Sequence, residues 1–298
     1  MLSPSAAHGT DSATVFKAIA LLVVAVNLLA MMDGMVKYLA EAGYPALQIL
    51  WARFFFNALL VSPIAAYRHR GLMLRPNDPG TQIGRGLLHA LGTLLLFMAY
   101  ARMPLADALA VYNAYPFVVA MLAPFLLAER SDWRQWLAVV VGFGGTMLVI
   151  RPGFESFNAG AVYALVGSIA FALYLILTRK LAGSAPADLT LSYQSLSATI
   201  IISMAVPFFW VTPDAFAVVL FIAIGAISAL GHLLVILAFA RAPASYLAPF
   251  GYMEIVTAAV IGFALFGDIP DFVTWVGIAV ICASGIFIGI QGGKSKSP

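Results

Sequence analysis

The sequence predicts an all-α integral membrane protein, with ten transmembrane helices in two inverted five-helix repeats (residues 1–152 and 153–298) and both termini in the cytoplasm. Three observations predict it. Of the 298 residues, 62% are hydrophobic and only 10% charged, with mean hydropathy +0.97, whereas a soluble domain is roughly a quarter charged. Ten apolar stretches reach about 20 residues, the length at which a helix rising about 1.5 Å per residue crosses a hydrocarbon layer about 30 Å thick. Sliding the chain on itself by 139 residues also brings matching residues of the two halves into register.

The spans follow one another with short separators rich in helix-breaking residues. Span one covers 15–40 and stops at Gly43-Tyr44-Pro45; it is too long for a cleaved signal peptide. Span two covers 45–67 and is followed by Arg75-Pro76-Asn77-Asp78-Pro79-Gly80, and span three, 82–101, stops at Met103-Pro104. Spans four and five cover 106–127 and 132–150, ending at Arg151-Pro152-Gly153. Spans six to eight cover 158–180, 189–211 and 215–240, divided by the stretch from Gly183 to Pro186, by Thr212-Pro213 and, at the end, by Ala242-Pro243. Spans nine and ten cover 245–266 and 271–290. The stretches do not alternate apolar with polar residues, which argues against a barrel and for helices that satisfy their own backbone groups in lipid.

Orientation comes from the basic residues. With a cytoplasmic N-terminus, the inner side receives twelve: Lys17, Arg68, Arg70, Arg75, Arg85, Arg130, Arg134, Arg179, Lys180, Arg241, Lys294 and Lys296. The outer side receives three, Lys37, Arg102 and Arg151, while Arg53 stays within a span. That asymmetry is the positive-inside bias. The net charge of +3 therefore reads as topology rather than as an anionic partner.

The 139-residue shift pairs Ala-Tyr-Ala-Arg-Met-Pro at 99–104 with Ala-Phe-Ala-Arg-Ala-Pro at 238–243, and Glu129, Asp132 and Trp136 with Asp268, Asp271 and Trp275. Five spans per repeat is an odd number, so the second half enters the membrane from the opposite side. Inverted repeats characterise secondary transporters, in which two similar halves exchange conformations around a midplane site. Composition excludes a soluble enzyme, a nucleic-acid binder and a disulfide scaffold, Cys282 being the only cysteine.

The motifs carry a resemblance. Trp51-Ala-Arg-Phe-Phe-Phe-Asn57 resembles the arginine-bearing second helix of the EamA-type transporters of the drug/metabolite transporter superfamily. The run from Pro116 to Glu129, with Gln135 and Gly142 to Thr146, is similar to that family's fourth and fifth helices; the second half departs from it, with Asp268 for the glutamate and Ile255 for Pro116. Within the superfamily the chain resembles the YddG-type exporters, which implies aromatic amino acids as substrates.

Polar groups inside spans are the candidates for function, since a charge at the bilayer centre costs about 2.5–3.5 kcal/mol on insertion scales. Asp33 and Arg53 lie about 10 Å and 12 Å from the outer ends of their helices, so equal depth lets them form either a structural ion pair or a gating and carboxylate-binding pair. Glu254 falls near the midplane of span nine and its repeat mate is Tyr115. It can bind an ammonium group, carry a proton, or bond to a neighbouring helix. His89 and His232, with repeat mates Ser228 and Thr93, are expected to face one cavity. Tyr112, Asn113 and Tyr115, Tyr163 and Tyr174 with Thr178, and Tyr246 and Tyr252 place amphipathic rings near the centre, suited to an aromatic solute or to interior packing. Asn27, Met31 and Gly34 form a weakly polar stripe at helical spacing. The glycines at 142, 144, 145, 225 and 231 lack any phosphate-binding context and fit close helix packing.

The expected substrate-binding set is thus Asn27, His89, Tyr112, Asn113, Tyr115, Tyr163, Tyr174, His232, Tyr252 and Glu254, with Asp33 and Arg53 structural or gating. The expectation is a multi-pass cell-membrane exporter of aromatic and other neutral amino acids, working by alternating access. Export of other small metabolites or drugs is the alternative, and an intramembrane enzyme or a channel the readings from other classes. No cofactor or metal is expected, no nucleophile–base motif is present for an enzyme, and the partners are a small solute and membrane lipid, with function as a monomer.

Overall fold

The computed structural model describes residues 12–69, 78–126, 133–150, 158–180, 186–239, 241 and 250–294. Among these, every regular element is helical: α1 Ser12–Glu41, α2 Ala46–Arg68, α3 Pro79–Tyr100, α4 Leu105–Tyr112, α5 Tyr115–Leu126, α6 Trp133–Ile150, α7 Ala159–Lys180, α8 Ala187–Ala205, α9 Ala215–Phe239, α10 Met253–Ile261 and α11 Phe272–Lys294. A 3₁₀ turn at Val206–Phe209 extends α8, and a π-helical turn at Gly262–Phe266 extends α10.

Among the described residues, seven helical stretches are long and apolar enough to cross a membrane: Thr14–Glu41, Ala46–Arg68, Pro79–Tyr100, Leu105–Leu122, Ala159–Thr178, Asp188–Phe209 and Ala215–Val235. Three apolar helices are shorter, at Trp136–Ile150, Met253–Phe266 and Phe272–Phe287, where the fifth, ninth and tenth spans are expected. Large apolar side chains such as Leu59, Ile64, Val140, Ile200 and Val260 are exposed on the outside of the bundle, which suits lipid rather than water.

Two expected continuous helices are interrupted. Span four breaks at Asn113 and Ala114, between α4 and α5, where Asn113 Nδ2 turns back to donate to Leu109 O at 2.9 Å. In span nine, Tyr252 forms a turn between helical residues 250–251 and α10. Asn113 and Tyr252 are 139 residues apart, the shift of the repeat. Apolar periodicity does not reveal such a break, because the flanking residues are apolar on both sides.

Packing fixes the order of the helices. The broadest contacts run between α3 and α7, α6 and α11, α1 and α9, and α2 and α8. Replacing each helix by its counterpart in the other half turns the α3–α7 pair into α9–α1, the α2–α9 pair into α8–α3, and leaves α2–α8 and α6–α11 unchanged. Glycine permits the closest crossings. A Cβ built on Gly92 of α3 would lie 3.0 Å from Gly167 O of α7, and the reverse distance is also 3.0 Å. At the α6–α11 crossing, Cβ atoms on Gly145 and Gly277 would meet the other's carbonyl oxygen at 3.1 and 2.9 Å. Backbones this near leave no room for a side chain.

α3 starts at a built cap. Asp78 has φ +53, a left-handed conformation that Asp tolerates, and its carboxylate accepts from the Thr81 hydroxyl at 2.7 Å and the Thr81 amide at 3.2 Å. Those two donors hold the Asp78 carboxyl below the usual carboxylate range. A lowered folded-state pKa gives stability that is present at neutral pH and fades as pH falls through that value. Asp78→Ala is therefore expected to lower the thermal unfolding midpoint at pH 7, with the difference from the unaltered protein shrinking toward acid pH, whereas Asp78→Asn, also an N-cap residue that tolerates the left-handed region, changes it little. Equal midpoints for Asp78→Ala and the unaltered protein at pH 7 would remove the cap from the account.

Candidate functional site

Arg53 on α2 is a buried charge, 6% exposed. Its Nε donates to Ser228 Oγ of α9 at 3.1 Å, and its Nη2 lies 3.2 Å from His232 Nε2. Since a guanidinium only donates, His232 accepts through Nε2. Ser228 Oγ also receives Asn57 Nδ2 at 3.4 Å, and Asn57 Oδ1 accepts from Ser195 Oγ of α8 at 2.9 Å. This network ties α2, α8 and α9 together and fixes the guanidinium plane. Among the described residues, Arg53 Nη1 has no hydrogen-bond partner, so one edge of the fork is unclaimed.

Equal depth does not produce the Asp33–Arg53 ion pair. The Asp33 carboxylate is not within 4 Å of the guanidinium, because Ser228 and His232 hold the fork toward α9. Asp33 and Glu254 nonetheless both interact electrostatically with Arg53 and with each other. Arg53 thus shares the interior with two acidic side chains, one from α1 and one from α10.

Aromatic rings form the rest of the wall. His89 stacks on Tyr174 with centroids 4.7 Å apart and meets His232 edge-on at 5.8 Å. Phe171 of α7 sits 4.9 Å from Tyr115, 5.4 Å from Tyr112 and 5.3 Å from Tyr174. Phe54 and Phe97 place their rings 5.8 and 5.7 Å from the Arg53 guanidinium carbon. Tyr115, Phe171, Tyr174, His232 and Glu254 are partly exposed although they sit mid-bundle, as residues lining an internal chamber are. Tyr115 opens α5 and Glu254 is the second residue of α10, so the positive ends of two interrupted helices reach this space.

Of the expected set, His89, His232, Tyr112, Tyr115, Tyr174 and Glu254 gather around Arg53. Tyr252 lies at the margin, against Gly285 of α11 and within electrostatic range of Tyr115. Three others are placed elsewhere. Asn27 accepts from Thr257 Oγ1 at 2.6 Å and donates to Val23 O, so it fastens α1 to α10. Asn113 is taken up by the helix break. Tyr163 stands three turns from Tyr174, with the Arg102 guanidinium 5.1 Å from its ring. The Asn27, Met31 and Gly34 stripe is a packing seam: a Cβ on Gly34 would lie 2.7 Å from Ile261, and Met31 is 49% exposed. Tyr246, Glu129 and Asp132 lie outside the described residues.

Other residues of the site were not singled out by the sequence. Ser228 carried a signal as the repeat mate of His89, and Asn57 ends the Trp51–Asn57 motif; Phe171 and Gln194, whose Nε2 donates to His89 Nδ1 at 2.5 Å, carried none. Two basic residues counted only for the side of the membrane they mark are buried. Lys37, 4% exposed, pairs with Asp268 beyond α10, with Glu41 3.7 Å and Met103 O 3.4 Å away. Arg85 is 2% exposed on α3. Among the described residues, no group of three or more His, Cys, Asp or Glu is arranged to hold a metal ion.

The chain is similar to known transporters over most of its length. It is 28% identical over 265 residues to an S-adenosylmethionine uptake transporter of Rickettsia bellii, covering 89% of this chain and 90% of that one. It is 30% identical over 259 residues to a pseudopaline exporter of Pseudomonas aeruginosa (84% and 89% covered) and 26% identical over 216 residues to a riboflavin transporter of Rhizobium johnstonii (72% and 72%). A solved structure superimposes with TM-score 0.65 at 16% identity, over 96% of this chain and 99% of the other, which concerns the fold alone. These relatives move several kinds of metabolite, so the expectation specific to aromatic amino-acid exporters is too narrow, and their functions speak for transport rather than enzymology. The profile of the EamA-like transporter family matches residues 16–151 and again 158–290, and the chain is a multi-pass membrane protein of that family.

Proposed function

We propose that this protein is a ten-span secondary transporter, with cytoplasmic termini and inverted halves 1–152 and 153–298, that moves a small metabolite combining a ring system with a charged amino-acid head. S-adenosylmethionine is the first candidate. The observation that carries the reading is the guanidinium with one unclaimed edge, set among two carboxylates and stacked rings. A substrate carboxylate can meet the Arg53 edge, its cationic groups Asp33 and Glu254, and its heterocycle the faces of Tyr115, Phe171 and Tyr174. Two acidic side chains near one guanidinium offer hydrogen-bonding and charge partners to the cationic groups of such a solute as well as to its carboxylate. The twofold match to the family profile, the exchange of packing partners between halves and the helix breaks one repeat apart support the inverted architecture.

The test is counterflow into liposomes holding the purified protein, with labelled S-adenosylmethionine, phenylalanine and riboflavin supplied separately. Saturable S-adenosylmethionine uptake, faster into preloaded than into empty vesicles, is the expected result. Uptake of phenylalanine alone would return the assignment to aromatic amino acids, which the tyrosine-rich wall also suits, and uptake of none of the three would overturn this substrate class.

A further inference from the structure

Arg85 lies six residues into α3, about 9 Å from its start, and among the described residues no carboxylate reaches it. Its Nη2 donates to Thr190 O at 2.6 Å and its Nη1 to Thr178 Oγ1 at 3.4 Å, while Nε is buried without a partner. The nearest acidic side chain in sequence on α8, Asp188, is engaged by Arg68 at 3.8 Å and His69 at 3.1 Å. One turn toward the start of α3, on the same face, Gln82 is 1% exposed with neither amide atom bonded. A buried cation and a complete buried amide, both with open hydrogen-bonding capacity, are costly to leave empty-handed.

The placement relates them to the central chamber. The Arg85 guanidinium carbon lies 5.4 Å from the ring of Tyr174, and that same ring stacks on His89, one turn further along α3. Tyr174 thus links Arg85 to His89, which meets His232 and through it the Arg53 network. The geometry points to a second binding site at Arg85 and Gln82, an oxyanion subsite that takes the carboxylate of a ring-bearing solute before it passes to Arg53. Arg85 supplies charge and its unpartnered Nε–H, Gln82 adds a neutral donor, and Tyr174 gives the site an aromatic border. The role as a station on the path rests on the transport reading; the binding of a carboxylate does not.

The test maps phenylglyoxal modification of Arg85 in the purified full-length protein by peptide mass spectrometry. Benzoate is compared with benzamide, and L-phenylalanine with phenethylamine. The expected result is that both carboxylates slow modification of Arg85 several-fold and their uncharged or decarboxylated partners do not, that this persists with Arg53→Gln, and that Gln82→Leu weakens it. Equal modification with and without the carboxylates, or an Arg85 that never reacts, overturns the proposal. Counterflow run in parallel separates the two readings: carboxylate protection without transport leaves this site standing, and transport without protection removes it.

Discussion

Arg53→Gln is expected to reduce counterflow of the transported solute by about a hundredfold, the factor that ~3 kcal/mol corresponds to when one partner of a buried charged contact is removed. The substitution deletes the fixed positive charge between Asp33 and Glu254 and empties the hydrogen bonds to Ser228 and His232. Arg53→Lys is expected to restore little. A lysine carries the charge as a single point and cannot reach Ser228 and His232 together while leaving an edge for a ligand. The bonds from Asn57 to Ser228 and Ser195 do not involve the guanidinium, so both variants should elute from size exclusion as the unaltered protein does. Counterflow at the original rate in a folded Arg53→Gln variant would take Arg53 out of the substrate path.

The second large effect concerns stability at the other buried cation. Lys37 is enclosed beside Asp268 with the Phe266 ring 4.8 Å from its ammonium. Lys37→Met leaves the Asp268 carboxylate without that partner and should destabilise the protein by about 1–3 kcal/mol, less than a fully buried pair because the Asp268 side chain keeps 25% of its exposure. Asp268→Leu should do similar damage by stranding the lysine. Combined, the two substitutions remove both charges, and the double variant is expected to be more stable than the sum of the single effects implies. Additive losses in chemical unfolding would mean that the two charges are not coupled.

The helical bundle and its candidate centre were legible where chemistry is rare. Arg53, His89, His232 and Glu254 stand out because a lipid-embedded sequence has few polar residues, and the structure brings them together in the interior. Tyrosines gave a weaker signal, since a ring suits an interface, a core or a cavity equally; Tyr115 and Tyr174 reach the chamber and Tyr163 does not. Asn27 misled because spacing along one helix does not tell which neighbour will claim its amide, here Thr257. Arg85 and Lys37 were used only to orient the chain, because a count of basic residues fixes the side of the membrane but not whether a cation near a helix end turns outward or inward. The breaks at Asn113 and Tyr252 were missed because the length of each apolar run reads as one span, and the Asn113 and Pro116 or Gly251 beside each break are residues that an unbroken membrane helix also tolerates.

Glycine sets the crossings of α3 with α7 and of α6 with α11. Gly92 and Gly167 meet backbone against backbone, while the space left by Gly145 and Gly277 is filled by Val280 and Val149 of the facing helix. The polar network around Arg53 has the opposite character, because any displacement of α2 against α9 breaks directed bonds. The two seams thus differ in kind: the glycine crossings are held by non-directional packing and the core around Arg53 by directed bonds, so a shift of a few tenths of an ångström costs less at the first than at the second.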